Sequence, residues 1–217
     1  MTPVPAPAAD RRYKGSTADE RRARRREQFI MAAVEVYGER GYRQATVKSV
    51  CDAAGLTERY FYESFPNSEA LLIASFRAVT DHLFEEVARA GAASDLADGY
   101  ERVRAMLTAY YEGLKRSPAP ARVFLVEISG VSAEMDRELQ NSLCDLGVLI
   151  ERTLYPGKAA DGPSDELLMI GIVGGIIHIA LQWIGQGYVR PVSEVAATAL
   201  RLCRVLEPAA EPRLRIT

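Results

Sequence analysis

Cysteine and histidine are scarce in this chain, three and two residues respectively among 217, and that scarcity removes several chemistries at once. Cys51, Cys144 and Cys203 are an odd, widely spaced set without a CxxC pair, so neither a disulfide framework nor a cysteine-based zinc site is indicated, and a reducing cytoplasm fits. Each is read as a small buried side chain in an apolar helical stripe. A nucleophile elbow, a phosphate-binding glycine loop and an HExxH pair are also missing. Tyr110 with Glu112, or His178 with a distant Glu127, would be a poor acid–base pair without them. GIVGGII sits inside a helical pattern and not after a strand, so it is no dinucleotide fingerprint. The expectation is a binding protein that needs no metal and no cofactor. Strands are not expected either, because no run alternates with period two. Residues Met1 to Ala9 hold three Pro and three Ala with no long apolar run, which reads as disorder and not as a secretory leader.

A net charge of −2 argues against a protein that coats nucleic acid or an anionic membrane. The average hides an asymmetry. Residues 1–68 carry 12 Lys and Arg against 9 Asp and Glu, net +3, and the remainder carries 15 against 20, net −5. Eight of the cations, Arg11, Arg12, Lys14, Arg21, Arg22, Arg24, Arg25 and Arg26, fall within residues 11–26. This basic arm reads either as a solvated terminus or as a phosphate-binding segment.

The apolar period is helical throughout, with Gly and Pro as punctuation. A first helix is expected from about Asp19 to Arg40, burying Phe29, Ala33, Val36 and Tyr37, with Gly41 as a left-handed stop. Thr46 caps a second, which buries Val47, Val50, Cys51 and Ala54 and ends at Gly55. A few residues later Thr57 caps a third, short helix that runs to Phe65, and Pro66 closes it. Asn67 or Ser68 starts a long fourth helix to about Ala90. At 100° per residue, Phe61 and Phe65 share one side of the third helix while Arg59, Tyr60 and Glu63 project from the other. Four aromatics on so short a helix exceed what one buried face takes, so Tyr60 and Tyr62 are expected outside.

Two closely spaced helices, the second short and polar on its outer face, form a helix-turn-helix pattern. The run AAVEVYGERGY, the spacing from Thr46 to AAGLT and the ending FYESFPNSEALL together resemble the DNA-binding domain of the TetR family of bacterial transcriptional regulators. The resemblance covers about 50 residues, from Arg26 to Leu72. It implies a homodimer that sets two reading heads into successive major grooves of a near-palindromic double-stranded operator. It also implies phosphate contacts from Tyr62, Thr46 and Lys48, which position without reading sequence. Arg59 is the candidate base reader, since its planar fork pairs with guanine O6 and N7. Thr57, Glu58 and Glu63 complete the expected DNA-binding set, the two carboxylates accepting from cytosine N4, orienting Arg59 or repelling phosphate. Tyr60 stands where many relatives have Thr, and Ser68 where they usually carry Lys, so the basic arm is expected to compensate for a lost phosphate anchor.

The remainder reads as helices from about Asp95 to Lys115, Pro120 to Ser129, Ala133 to Leu154, Ser164 to Gln186 and Val192 to Leu206. The expected organisation is all-α: a disordered basic arm over 1–18, a helix-turn-helix domain over 19–68, and a helical effector-binding and dimerisation domain over 69–217. Leu167 to Ile184 is the most apolar stretch, yet it contains His178 and Gln182 and lacks flanking Lys or Arg, so a membrane span is rejected. Burial against a second copy fits better, with Gly171, Gly174 and Gly175 allowing close approach and Val195, Ala199, Leu202 and Leu206 completing a four-helix interface. Met106, Tyr110, Tyr111, Phe124, Glu127, His178 and Trp183 combine aromatic surface with polar tips. They are the candidate pocket for an apolar or aromatic effector. The overall expectation is a ligand-responsive DNA-binding regulator, a repressor released by a small molecule. The alternatives are a helix-turn-helix protein that acts mainly through a protein partner and a helical enzyme.

Overall fold

The computed structural model describes residues 17–93, 98–128, 130–156 and 166–206. Most of the expected N-terminal arm, and the expected helix starts at Asp95 and Ser164, lie outside the described residues. Among those described there is no strand, and the fold is all-α.

Local capping sets the helix boundaries. Helix α1 (Ala18–Arg40) starts one residue earlier than expected because Thr17 and Glu20 form a capping box: Thr17 Oγ1 accepts from the Glu20 N–H at 3.1 Å and Glu20 Oε2 accepts from the Thr17 N–H at 2.7 Å. Arg21 to Arg26 are therefore helical residues. Gly41 has positive φ (84°), but its ψ of 147° lies outside the left-handed helical region expected of it. A 3₁₀ turn (Tyr42–Gln44) then leads to α2 (Val47–Ala54). Gly55 at φ 65° and ψ 29° supplies the left-handed stop, and the Leu56 N–H donates back to the Cys51 carbonyl at 3.0 Å. The chain turns directly into α3 (Glu58–Ser64), and Asn67 caps the long α4 (Ser68–Ala92) through the Ala70 N–H.

Five more helices follow among the described residues: α5 (Gly99–Arg116), α6 (Pro118–Arg122), α7 (Ala133–Leu154), α8 (Glu166–Gly185) and α9 (Val192–Cys203). The helix expected over Pro120 to Ser129 is divided. Pro118, expected only as a break, opens α6, since proline in a first turn has no amide hydrogen bond to lose. Val123–Glu127 continues as a π-helical turn. Helix α4 packs on α1 at one end and on α5 and α7 beyond. One apolar core runs from Phe29 to Cys203, with the Phe76 and Phe124 rings stacked at 5.8 Å in its middle. Cys51 and Cys203 lie in it as expected, but Cys144 is exposed. Leu167–Gly185 is long and apolar enough to cross a membrane by length and composition; in the fold, α8 packs against α7 and α9.

Candidate nucleic-acid interface and neighbouring cavity

Seven residues are too few for a helix to persist alone, so α3 is held by what lies behind it. Phe61 and Phe65 are fully buried, and both meet Phe29 of α1 edge to face, at 5.6 and 6.4 Å. The outer surface carries the residues picked out from the sequence: Thr57, Glu58, Arg59, Tyr60, Tyr62 and Glu63 are all exposed, as are Thr46, the N-cap of α2, and Lys48 in its first turn. Tyr62 is 58% exposed, with its ring edge on Phe61 at 5.2 Å. Thr57 occupies the N-cap position of α3 but makes no side-chain cap hydrogen bond, so its expected capping role is not realised. Thr46 does cap α2, its Oγ1 accepting from the Ser49 N–H at 3.1 Å.

Charge on this surface is internally organised. Arg59 Nε donates to Glu63 Oε1 at 3.0 Å, an i,i+4 pair in which the Arg59 side chain stays 85% exposed. Of the roles expected for Glu63, orienting Arg59 is the one that this contact supports. Three arginines of the basic segment, read from sequence as either solvated or phosphate-binding, turn toward α3. Arg22 Nη2 donates to the Glu63 carbonyl at 2.8 Å, and Arg26 Nη1 donates to the Ser64 carbonyl at 2.9 Å. Arg25 lies 4.5 Å over the Tyr60 ring and 3.9 Å from the Glu63 carboxylate, and Arg26 lies 4.1 Å over Phe65. The signal for this clamp was present in the spacing: 22, 25, 26 and 29 are i, i+3, i+4 and i+7 on one helix face, and Phe29 marks where that face leads.

The candidate effector residues separate. Met106, Tyr110, Tyr111, Phe124 and Trp183 are each at most 3% exposed and pack on one another as core. Burial raises the tyrosine pKa values of both Tyr110 and Tyr111. The Tyr111 hydroxyl donates to the Ile176 carbonyl at 3.0 Å, whereas the Tyr110 hydroxyl has no partner among the described residues. His178 sits on the exposed side of α8. Glu127 is drawn away to the turn before α2, where Oε2 accepts from the Tyr42 N–H at 2.7 Å, while Oε1 accepts from Arg122 Nε at 2.9 Å. Of the seven, only Phe124 reaches a cavity of about 340 Å³ whose walls come from α1, α4, α5 and α6. Ile30, Val34, Val79, Leu83, Leu114 and Phe124 make it apolar. At its rim Glu86 is ion-paired with Arg116 and lies 3.7 Å from His82. Sequence reasoning sought aromatic clusters, and those are what a core consumes; the cavity exists because side chains from distant segments leave a gap.

The expected pairing surface separates likewise. Val195 and Ala199 are buried within the chain's own core, so they are not free to meet a second copy. A Cβ on Gly175 would lie 2.7 Å from Leu202 Cδ1, so that glycine permits α8 to approach α9 inside one chain. Gly171 and Gly174 are exposed with nothing within 4 Å of such a Cβ, and Leu167 on the same face is 80% exposed. The side chain of Leu206 lies outside the described residues.

Residues 29–75 match the family described as "Bacterial regulatory proteins, tetR family". The chain is 31% identical over 182 residues to the HTH-type transcriptional activator FasR of Mycolicibacterium smegmatis, covering 81% of this chain and 78% of that protein. It is 29% identical over 109 residues to the HTH-type transcriptional repressor KstR2 of Rhodococcus jostii, an alignment spanning 50% of this chain and only about half, 52%, of that relative. Among solved structures it is similar to the transcriptional regulator FadR of Bacillus subtilis in complex with stearoyl-CoA, with a TM-score of 0.68 at 22% identity over 81% of this chain and 96% of that one. The fatty acid degradation regulator FadR of Bacillus halodurans also gives 0.68, at 21% identity over 87% and 96%. At such identities the structural likeness speaks for the fold.

Proposed function

This chain belongs to the TetR family of bacterial regulatory proteins and is a DNA-binding transcriptional regulator, not an enzyme; from that premise we propose that it is a homodimeric repressor, released from its operator by a small apolar effector. The carrying observation is the outer face of α3, polar, aromatic and exposed, on a helix whose back is fixed to α1. In this reading Tyr62, Thr46 and Lys48 grip phosphates and fix register. Arg59, held in line by Glu63, reads a guanine, and Tyr60 presents its ring edge to the groove. Thr57 and Glu58 open the helix against the DNA.

Dimerisation is assigned to the exposed face of α8 around Leu167, Gly171 and Gly174, a surface whose apolar character calls for cover. The effector reading rests on the apolar cavity between α1 and α4–α6, at the low end of the size that ligand pockets span, about 300–1,000 Å³. FadR of Bacillus subtilis with stearoyl-CoA makes an acyl thioester the first molecule to try. Because the cavity touches both the reading head and the helices beyond it, an occupant that fits only one relative arrangement of the two shifts the population toward it. The site of action is the bacterial cytoplasm, where the operator is.

A gel-shift titration with DNA from upstream of the chain's own gene tests this, with and without stearoyl-CoA. A salt-dependent, sequence-specific shift reversed by the thioester is expected. A shift that the thioester strengthens would contradict the release of a repressor, and the absence of any specific shift would contradict DNA reading.

A further inference from the structure

The arginines at the start of α1 have the composition of a phosphate-binding arm and the geometry of a brace. Helix α3 is short, its N-cap makes no side-chain hydrogen bond, and its last carbonyls have no intrahelical donors. Those carbonyls are where Arg22 and Arg26 end, at 2.8 Å from the Glu63 oxygen and 2.9 Å from the Ser64 oxygen. Two guanidinium groups there also face the negative end of the helix dipole. The Arg25 and Arg26 guanidinium groups lie over the rings of Tyr60 and Phe65 at 4.5 and 4.1 Å, one ring exposed and one buried.

From this we propose that Arg22, Arg25 and Arg26 are positioning residues for base recognition: they set the tilt of α3 and the rotamer of Tyr60, and contribute to specificity, while adding little to phosphate neutralisation. Glu63 ties the arrangement together. Its carbonyl accepts from Arg22, its carboxylate lies 3.9 Å from Arg25, and it accepts from Arg59 at 3.0 Å. The candidate base reader is thus linked to the brace through a single residue. A tilt error in α3 displaces every base contact together, whereas phosphate contacts made by flexible side chains adjust. This inference rests on the reading of α3 as the helix that enters the groove.

Salt separates the two roles. A residue that neutralises a phosphate lowers the slope of log K against log salt by about 0.9 when removed and weakens binding on all sequences alike. A positioning residue leaves the slope and lowers the ratio of specific to non-specific affinity. The test begins with selection of duplexes from a random library by the wild-type chain, followed by titration of the best duplex and a scrambled one at several salt concentrations. Arg22→Ala and Arg26→Ala are expected to lose about tenfold on the selected duplex, the size of one good base contact. On the scrambled duplex they should keep wild-type affinity, with both slopes unchanged. Arg25→Lys and Arg26→Lys, which retain the charge and the fold but lose the flat guanidinium, are expected to lose the same preference and to enrich a more degenerate sequence set. Equal losses on both duplexes with a reduced slope would overturn the inference, and so would lysine variants that behave as wild type. If the wild-type chain enriches no sequence at all, the reading of α3 itself falls, a result distinct from either.

Discussion

Phe61 is fully buried between the rings of Phe29 and Phe65, so removing its ring opens a hole that a seven-residue helix has no means to close. Phe61→Ala is expected to lower stability by about 3–5 kcal/mol, measured as a fall in the denaturation midpoint in urea; a loss under 1 kcal/mol would mean that α3 is held mainly by its arginines. The cysteines give a second residue-scale prediction. Burial pushes the Cys203 thiol up to about 11 and raises that of Cys51, whereas Cys144 is exposed. In the native chain a maleimide should therefore label Cys144 first, as mapped by peptide mass, and equal labelling of all three would contradict the fold. The helical period made Phe61 and Phe65 legible as core. It misled at Cys144, which lies two residues from both Ser142 and Leu146 of α7, about 200° around the helix from the side they bury. Charge was harder still to read: helical spacing puts Arg22, Arg25 and Arg26 on the Phe29 face, but the partners they meet lie 35 residues or more along the chain, beyond the reach of a local rule.

Among the elements, helix extents were largely readable because caps are local: Thr17 with Glu20, Thr46 with Ser49 and Asn67 with Ala70 each start a helix where a short polar side chain meets a free N–H. The α6 segment was not, since Pro118 has the same composition whether it ends a helix or begins one. That segment and the π-helical turn after it join two regions. Phe124 reaches the cavity, and three residues later Glu127 holds the Tyr42 N–H of the turn before α2. Glu127→Ala would leave that amide and the Arg122 guanidinium without their acceptor, so a loss of about 1–3 kcal/mol is expected in equilibrium unfolding. Glu127→Gln, which still accepts from Tyr42, should lose less; equal losses would contradict the hydrogen bond as the cause. A second tie gives a pH signature. Arg77 of α4 donates to Glu138 of α7 at 2.8 and 2.5 Å, and chiefly through that hydrogen bonding holds the Glu138 carboxyl below the usual carboxylate range. With the folded pKa below the unfolded one, the stabilisation is present above the ordinary carboxylate range and is lost as pH falls through the folded value. Thermal melts should accordingly show Glu138→Gln below wild type at neutral pH, with the gap narrowing as the solution is acidified; a gap independent of pH would contradict the assignment.

For the molecule as a whole, the all-α class and the reading head follow from periodicity and capping, which are properties of neighbouring residues. The proposed effector cavity and pairing face do not, because each depends on what packing leaves over. Aromatic residues that suggested a pocket were consumed by the core, and the gap opened instead between α1, α4, α5 and α6. Val195 and Ala199, which suggested an interface, pack inward, while the glycine face of α8 stays outside. In the proposed regulator two copies meet through that face and present two α3 helices to one duplex. Sedimentation of the chain at micromolar concentration, alone and then with duplex DNA from upstream of its gene, measures this directly. A dimer is expected in the free protein, and two chains, or a multiple of two, on a duplex containing an inverted repeat. A monomer in both conditions, or one chain bound to a site without two-fold symmetry, would contradict it.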